Sequence, residues 1–265
     1  MINEAQKKYN DIEFVLTEPL GVHENIAKVV FERSRKDIKE VKILKPHEIE
    51  EKSFEIITEG LRQAQLGKTN FKDIELSIVK RVIHATGDFD FAKNMRFHPD
   101  AVEAGIRAIK NGMNILVDVH MVEAGINKRL LQKWGGRVIC NIQNTEHNYE
   151  LKDKKNSKLQ TPNSKLDKTR AEMGIEMGLK ESNNIGIVAI GNAPTALYKA
   201  MKLIRNGVCS PELVIGVPVG FVKAQESKEV LLHMKYPFIT SLGRKGGSPV
   251  AVAIVNALLK MVEER

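Results

Sequence analysis

Five short apolar segments, each followed by a segment with helical periodicity, constrain the fold of this chain more strongly than any other feature. Turn-forming residues bound each apolar segment, which is typical of strands buried on both faces of a parallel sheet. The five predicted strands are residues 114–119, 137–142, 185–190, 212–217 and 237–241. The predicted helices that follow them are residues 121–134, 166–181, 194–206, 226–235 and 248–263.

This alternation predicts right-handed βαβ crossovers and one sheet covered by helices on both faces. We therefore expect an α/β fold with three α/β/α layers, built on a five-stranded parallel sheet of the flavodoxin-like, doubly wound type. Extra helices are expected on the N-terminal side, one beginning at Pro46, one ending before Gly87 and one over residues 99–110. Residues 88–97 lack a periodic pattern and are expected to be irregular.

The domain organisation follows from the same patterns. Residues 1–42 carry no chemical motif and are interpreted as an N-terminal extension of unknown role. Within it, residues 11–16 predict a short strand and residues 24–41 a charged helix. Residues 43–265 are expected to form one α/β domain, which is long enough to bury a substantial core. A polar, lysine-rich stretch over residues 143–163 predicts a long loop or lid.

The composition fits a globular protein and excludes several classes. Hydrophobic residues make up 42% of the chain, and no apolar run approaches the ~20 residues that a membrane span needs. The first residues lack the apolar core of a signal peptide, so a cytoplasmic location is expected. Cys140 and Cys209 have neither metal-ligand nor redox-pair spacing. Both are expected to be small buried apolar residues, and no metal site is expected.

The net charge of +8 has three explanations. Nucleic acid is one, although aromatic residues make up only 5% of the chain and no recognition motif is present. A polyanionic small substrate and a solvated excess of surface lysine and arginine explain the charge equally well.

One histidine lies at a predicted helix terminus. Apolar residues recur every four positions from Ile74 to Val82, and Gly87 follows where a left-handed terminating residue is favoured. His84 therefore falls in the last turn, where the helix macrodipole favours a cationic imidazole. Arg81 lies one turn earlier on the same side. The pair is either a proton donor beside an anion clamp or an exposed helix cap, and the residues alone favour the cap.

Unusual loops follow four of the predicted strands, at the edge where open α/β sheets bind ligands. They are residues 118–121, 191–197, 218–222 (followed by 226–228) and 243–249. Each leads into a helix N-terminus, where free N–H groups favour anions. The last loop is not a Walker A motif, and no G-x-G-x-x-G follows the first strand, so a dinucleotide cofactor is not expected. We find no nucleophile elbow and no paired-histidine zinc motif in the sequence.

Taken together, these segments resemble the precorrin-8X methylmutase family of corrin biosynthesis, including its cobalt-precorrin-8 members. The matching segments run in order from about Lys45 to the C-terminus. They are residues 49–54 (IEEKSF), 82–87 (VIHATG), 116–122 (LVDVHMV), 169–170 (TR), 191–197 (GNAPTAL), 216–222 (GVPVGFV), 226–228 (ESK) and 243–248 (GRKGGS). The first 40 or so residues depart from the family pattern.

The resemblance implies an isomerase of cobalamin biosynthesis. The family moves one methyl group between adjacent ring C carbons of a contracted tetrapyrrole, giving cobyrinic acid or its metal-free form, hydrogenobyrinic acid. Of the two substrates, the cobalt-containing one is favoured here. The resemblance places the active-site histidine at His84 and substrate-binding residues at Ser53 and Arg81. It also implies a homodimer and no cofactor, since any cobalt arrives inside the substrate. Neither nucleic acid nor a membrane is expected as a partner.

The resulting hypothesis is that His84 acts as a proton donor to the bound macrocycle and takes the proton back after the methyl shift. Further substrate-binding residues are expected in the loops. They are Thr86, Asp118, Thr169, Arg170, Asn192, Thr195, Ser227, Lys228, Arg244, Gly246, Gly247 and Ser248. Two alternatives stay open: a corrinoid carrier, which needs no proton donor, and a phosphate- or nucleotide-binding transferase that uses residues 244–248.

Overall fold

The computed structural model describes residues 28, 45–63, 71–143 and 168–264, and every structural statement below concerns this part of the chain. The strand and helix predicted within the N-terminal extension lie outside the described residues, apart from Lys28, and so does nearly all of the predicted lid. One compact unit spans Glu50–Arg265. The division into an extension and a domain at residue 42 stays a prediction.

The described helices are α1 Pro46–Gln63, α2 Asp73–Thr86, α3 Phe91–Asn94, α4 Ala101–Lys110, α5 His120–Gly125, α6 Lys128–Gln132, α7 Arg170–Glu181, α8 Pro194–Arg205, α9 Ala224–Leu232 and α10 Ser248–Glu264. The strands are β1 Met95–Phe97, β2 Asn114–Val117, β3 Val138–Cys140, β4 Ile185–Ile190, β5 Leu213–Gly216 and β6 Phe238–Ser241. Among the described residues, no helix combines the length and the apolar character needed to cross a membrane.

All six strands belong to one mixed sheet, in the order β1-β6-β5-β4-β2-β3. Five strands are parallel, and β1 pairs antiparallel with β6, so that Met95 lies opposite Ser241. The prediction of a purely parallel, five-stranded sheet is therefore corrected to a six-stranded, mostly parallel sheet. Residues 88–97, expected to be irregular, contain both α3 and β1. A strand of three residues is too short to show an alternating pattern.

Two apolar clusters cover the two faces of the sheet. The first joins α2, α4 and α10 to one face, and Ile78, Val82 and Ile254 lie fully buried in it. The second joins α7, α8 and α9 to the other face, with Ile175 and Leu197 at its centre. The three-layer arrangement that the sequence predicts is present, because each helix turns one apolar stripe toward the sheet.

Helix α2 ends as the sequence predicts. Its last residue is Thr86, and Gly87 follows in the left-handed region at φ 66°. The Gly87 N–H donates to the carbonyl of Ile83 over 2.7 Å, which closes the last turn. His84 therefore lies in that turn.

Several predicted helices have different bounds. The helix expected over residues 121–134 is two short helices, because Asn127 breaks the first and caps α6 by accepting the N–H of Leu130 over 3.0 Å. Helix α7 begins at Arg170, where the Thr169 hydroxyl caps it. Helix α9 begins two residues before the predicted start, directly after Lys223 in the left-handed region at φ 63°.

The strand order creates a gap above the carboxyl ends of β2 and β4. From β2 the chain continues to β3 on one side, and from β4 it continues to β5 on the other. The connections therefore leave these two neighbouring strands in opposite directions, which is the geometry of a topological switch point.

Candidate functional site

The imidazole of His84 is exposed at the end of α2 and stacks on an aromatic ring of α1. The rings of His84 and Phe54 lie 5.4 Å apart with an interplanar angle of 17°. The guanidinium carbon of Arg81 lies 4.9 Å from the centre of the same ring. Phe54 thus contacts both predicted functional groups of α2. Ser53, predicted to bind substrate, precedes it on α1 and is half-buried.

Arg81 already has an acidic partner within the chain. Its Nη2 lies 2.6 Å from Oε1 of Glu50, which also lies 3.5 Å from Nζ of Lys260. Partial burial would raise the pKa of Glu50, but the two cations together hold it below its ordinary value. A substrate carboxylate at Arg81 would therefore share the guanidinium with Glu50.

Two aspartates tie the end of α2 to the loop after β6. Nζ of Lys245 lies 2.6 Å from Oδ2 of both Asp88 and Asp90. The hydrogen bond from Lys245 lowers the pKa of Asp88, and the two carboxylates raise the pKa of the lysine. Thr86 is occupied nearby, since its hydroxyl donates to the Val82 carbonyl over 2.8 Å. The loop that contains Arg244 is therefore fixed against the helix that carries His84.

The glycines of the same loop allow a close backbone approach to the end of β5. The Gly247 N–H donates to the Val217 carbonyl over 2.8 Å, and Gly247 has a φ of 120°. A side chain at Gly246 would collide with that same carbonyl oxygen. Both glycines, predicted to bind substrate, are thus required by the packing of this loop.

Arg244 lies at the outer face of this loop. Its guanidinium carbon is 5.3 Å from the ring centre of Phe221, which is 86% exposed. No carboxylate in the described part of the chain forms an ion pair with it. Arg244 is therefore available to an incoming anion. Ser248, the first residue of α10, is 6% exposed.

Lys228 and Ser227, both predicted to bind substrate, are fully buried. Nζ of Lys228 donates to the carbonyl of Lys245 over 2.7 Å, and the Ser241 hydroxyl donates to the same oxygen over 3.0 Å. The Ser227 hydroxyl donates to the Ala224 carbonyl within α9. Burial lowers the pKa of Lys228 to about 8. Lys228 thus anchors the glycine-rich loop from the interior of the protein.

Asp118 fills the switch point above β2 and β4. Its Oδ1 accepts the N–H of Gly191 over 3.1 Å, and its Oδ2 accepts those of Asn192 and Ala193 over 2.8 Å each. Burial raises the pKa of this carboxyl, while the three amide bonds oppose that shift. Asp118, which was predicted to bind substrate, is 2% exposed. It positions the exposed Asn192 instead.

The predicted threonines also meet each other. The hydroxyl oxygens of Thr169 and Thr195 lie 2.7 Å apart, which joins the start of α7 to the start of α8. Lys199 on α8 reinforces the joint through contacts of 3.1 Å with both Glu172 and Glu176 on α7. Arg170, the first residue of α7, is exposed beside this joint.

The structure therefore gathers the predicted loops at one edge of the sheet. A side chain added at Gly191 would lie 2.8 Å from Cα of Ser248, so the loops after β4 and β6 touch. Exposed and half-buried residues of the predicted set are His84, Ser53, Arg81, Thr86, Thr169, Arg170, Asn192, Thr195, Arg244 and Gly246. Buried ones are Asp118, Ser227, Lys228, Gly247 and Ser248. Phe54 and Lys245 were missed, although both lie next to predicted residues in the sequence.

The Asp118 contacts give a stability prediction. In a D118N variant one carboxylate oxygen becomes an NH₂ group, so at least one buried amide loses its acceptor. We expect the free energy of unfolding to fall by about 2–3 kcal/mol, since bonds to a charged acceptor are strong and buried donors are costly to leave unpaired. Urea unfolding measures this. The exposed Asp100 supplies the control D100N, and equal losses in both variants would contradict the assignment.

The burial of Lys228 predicts a pH dependence. Its pKa falls from 10.5 to about 8 on folding, so between these values the unfolded chain holds a proton that the folded chain has released. Stability contributed by this group therefore rises with pH across that window, by at most about 1.4 kcal/mol per pH unit. K228M should lack this rise in urea unfolding at graded pH. K235M, at an exposed lysine, should follow the wild type, and parallel wild-type and K228M curves would refute the prediction.

Comparison with known proteins agrees with the arrangement of the loops. The family model described as CbiC, precorrin-8X methylmutase, matches residues 48–261. The cobalt-precorrin-8 methylmutase of Priestia megaterium is 46% identical over 215 residues, which cover 81% of this chain and 88% of the relative. The protein of the same name from Leptospira interrogans is 42% identical, covering 82% and 94%.

Solved structures give the same answer. The crystal structure of precorrin-8X methylmutase from Thermus thermophilus superposes with a TM-score of 0.68 at 35% identity, covering 82% of this chain and 97% of that one. A match to the family model over more than two thirds of the chain, together with identities above 40%, settles the family. This chain belongs to the precorrin-8X methylmutase family.

Proposed function

We propose that this isomerase moves one methyl group between adjacent ring C carbons of cobalt-precorrin-8, with His84 as the proton donor. The observation that carries the proposal is the placement of His84. It is an exposed imidazole at a helix terminus that Lys245 joins to the loop beyond β6. Its ring stacks on Phe54, so the imidazole is held in place while it stays accessible to a bound macrocycle.

The proposed reaction requires few catalytic groups. One carbon–carbon bond breaks and another forms within the same molecule, so no electrons and no group are exchanged with a second reactant. The protein has to hold the macrocycle in a reactive form and supply one proton reversibly. A positioned general acid contributes roughly 10²- to 10⁴-fold to such a step.

The proposal of a cobalt-containing substrate rests on the relatives. Those with the highest identities quoted above are named for cobalt-precorrin-8, whereas a relative named only precorrin-8X methylmutase, from Sinorhizobium, is 33% identical. In this proposal the cobalt is part of the substrate, and the methyl shift uses no dissociable cofactor.

Substrate recognition is proposed to combine cations with an apolar surface. Arg244, Arg170 and the shared guanidinium of Arg81 would bind the peripheral carboxylates as charge-assisted hydrogen-bond donors. Phe221 and Val222, which are 86% and 79% exposed in the loop after β5, would pack against the macrocycle. This division accounts for an excess of positive charge without nucleic acid.

We also propose that the protein is a homodimer in the cytoplasm, as the family resemblance implies. Family membership removes the nucleotide-binding transferase from the alternatives. A non-catalytic corrinoid carrier would use the same cations and apolar side chains, but it would have no use for an exposed proton donor.

The first functional prediction concerns His84. In an H84N variant the proton donor is lost while a polar side chain remains on Phe54. We expect kcat to fall about 10²- to 10⁴-fold, with the Kd for the corrinoid within about 3-fold of wild type, since the cations are intact. Absorption spectroscopy during incubation with cobalt-loaded and metal-free substrate measures turnover, and equilibrium titration measures Kd.

The matched control is H233N, at an exposed histidine that follows α9 at the opposite edge of the sheet. It should turn over substrate like the wild type. Full activity of H84N would exclude the acid role. A wild-type spectrum that changes only in proportion to the amount of protein would instead favour the carrier.

The second functional prediction concerns Arg244. R244Q removes a guanidinium that has no acidic partner among the described residues. We expect Kd to rise about 10- to 100-fold, since a bond to a charged group is worth ~1.5–3 kcal/mol. The rate at saturating substrate should change little. R205Q, at the C-terminal end of α8 and the opposite edge of the sheet, is the control. An unchanged Kd in R244Q would rule out the clamp.

A further inference from the structure

A second group of chemically reactive side chains lies at the ends of β2 and β3, separate from the residues around His84. It consists of His120, Glu123 and Cys140. One ligand-type atom from each of the three residues lies within 4.8 Å of the others. All three residues are partly buried. The methyl shift as proposed above uses none of them.

Rigid elements bring the three together. His120 and Glu123 lie three residues apart on α5, so their side chains emerge on the same face of that helix. Cys140 is the last residue of β3 and pairs in parallel register with Val117 at the end of β2. Only two residues separate Val117 from the start of α5. The grouping therefore follows from sheet register and helix period and does not depend on a long loop.

The hydrogen bonding of His120 is incomplete. Its Nδ1 lies 2.8 Å from Oε2 of Glu123, so this nitrogen donates its proton to the carboxylate in the neutral ring. Its Nε2 is then a lone-pair acceptor, and it is buried without a hydrogen-bond partner among the described residues. The ring proton can therefore move to Nε2, which frees Nδ1, 2.8 Å from the carboxylate oxygen, to bind an ion together with Glu123.

We propose that His120, Glu123 and Cys140 form a binding site for a zinc-type divalent transition-metal ion. Imidazole nitrogen, carboxylate oxygen and thiolate sulfur are the three ligand types of tetrahedral zinc sites, and a water molecule would complete the fourth position. On binding, the thiol S–H bond breaks, its proton goes to solvent and a sulfur–metal bond forms. No oxidation or reduction takes place.

The positive charge of a neighbouring lysine leads to a specific prediction about metal affinity. Lys128, on α6, lies 2.8 Å from Oε1 of Glu123 and is 47% exposed. Its ammonium repels a metal ion and competes for the carboxylate. Removing it should tighten metal binding, whereas removing a ligand should weaken it. Because the two kinds of substitution change the metal affinity in opposite directions, they distinguish a metal site from an ordinary surface ion pair beside a thiol.

The test uses the full chain, freed of metal by a chelator and kept reduced, without any corrinoid. Titration with Co²⁺ as the spectroscopic probe should give a thiolate-to-cobalt charge-transfer band. One equivalent of Zn²⁺ should displace the Co²⁺ and abolish that band. In C140S and H120N we expect the Kd for Zn²⁺ to rise at least about 100-fold. In K128M it should fall several-fold.

The controls are C209S and H233N, which change the other cysteine and an exposed histidine far from the group. Both should bind Zn²⁺ like the wild type, and circular dichroism verifies the fold of every variant. Binding that survives in C140S, or that C209S weakens equally, would overturn the proposal. If Co²⁺ gives no charge-transfer band, the group is only an ion pair beside a thiol, and the proposal is wrong. Because no substrate is used, these outcomes are independent of the role of His84.

Discussion

The carboxylate of Asp118 is the constraint on which the rest of the site depends. A buried carboxylate is tolerated only where hydrogen-bond donors replace water, and three consecutive backbone amides do so here. Those amides form the loop between β4 and α8, so the helix terminus and the negative charge stabilise each other. The position of this loop in turn sets the contact between Gly191 and Ser248. One side chain after β2 thereby fixes the start of α10, more than a hundred residues later.

Two lysines hold the glycine-rich loop in physically opposite ways. Lys228 is buried and donates to a backbone carbonyl from below, whereas the exposed Lys245 pairs with Asp88 and Asp90 at the rim. The loop is consequently fixed on both sides. Arg244 is the charged residue of this loop that has no acidic partner within the described part of the chain. Positive charge is thus divided between residues that build the site and residues that are available to a substrate, which net charge alone does not distinguish.

Residue patterns predicted most of the layered arrangement and most of the loops that meet at one edge of the sheet. Both features follow from local periodicity and from the rule that parallel strands end at the same edge. The patterns failed where contacts distant in sequence decide. Nothing near β1 shows that three residues will pair with β6. Lysine or aspartate next to a loop motif looks like a ligand whether its side chain faces solvent or the interior. Asp118 and Lys228 were therefore assigned to substrate, while the stacking partner Phe54 was overlooked.

The site combines loops tied by buried polar contacts with an exposed imidazole, and the proposed intramolecular shift gives a reason for this combination. No covalent intermediate has to be formed, so the barrier is lowered by orientation and by charge placed in advance. Orientation requires loops that do not yield, which explains why buried polar residues are used to anchor backbone. The proposed proton transfer needs an imidazole that the macrocycle can reach, and the exposed position of His84 meets this requirement.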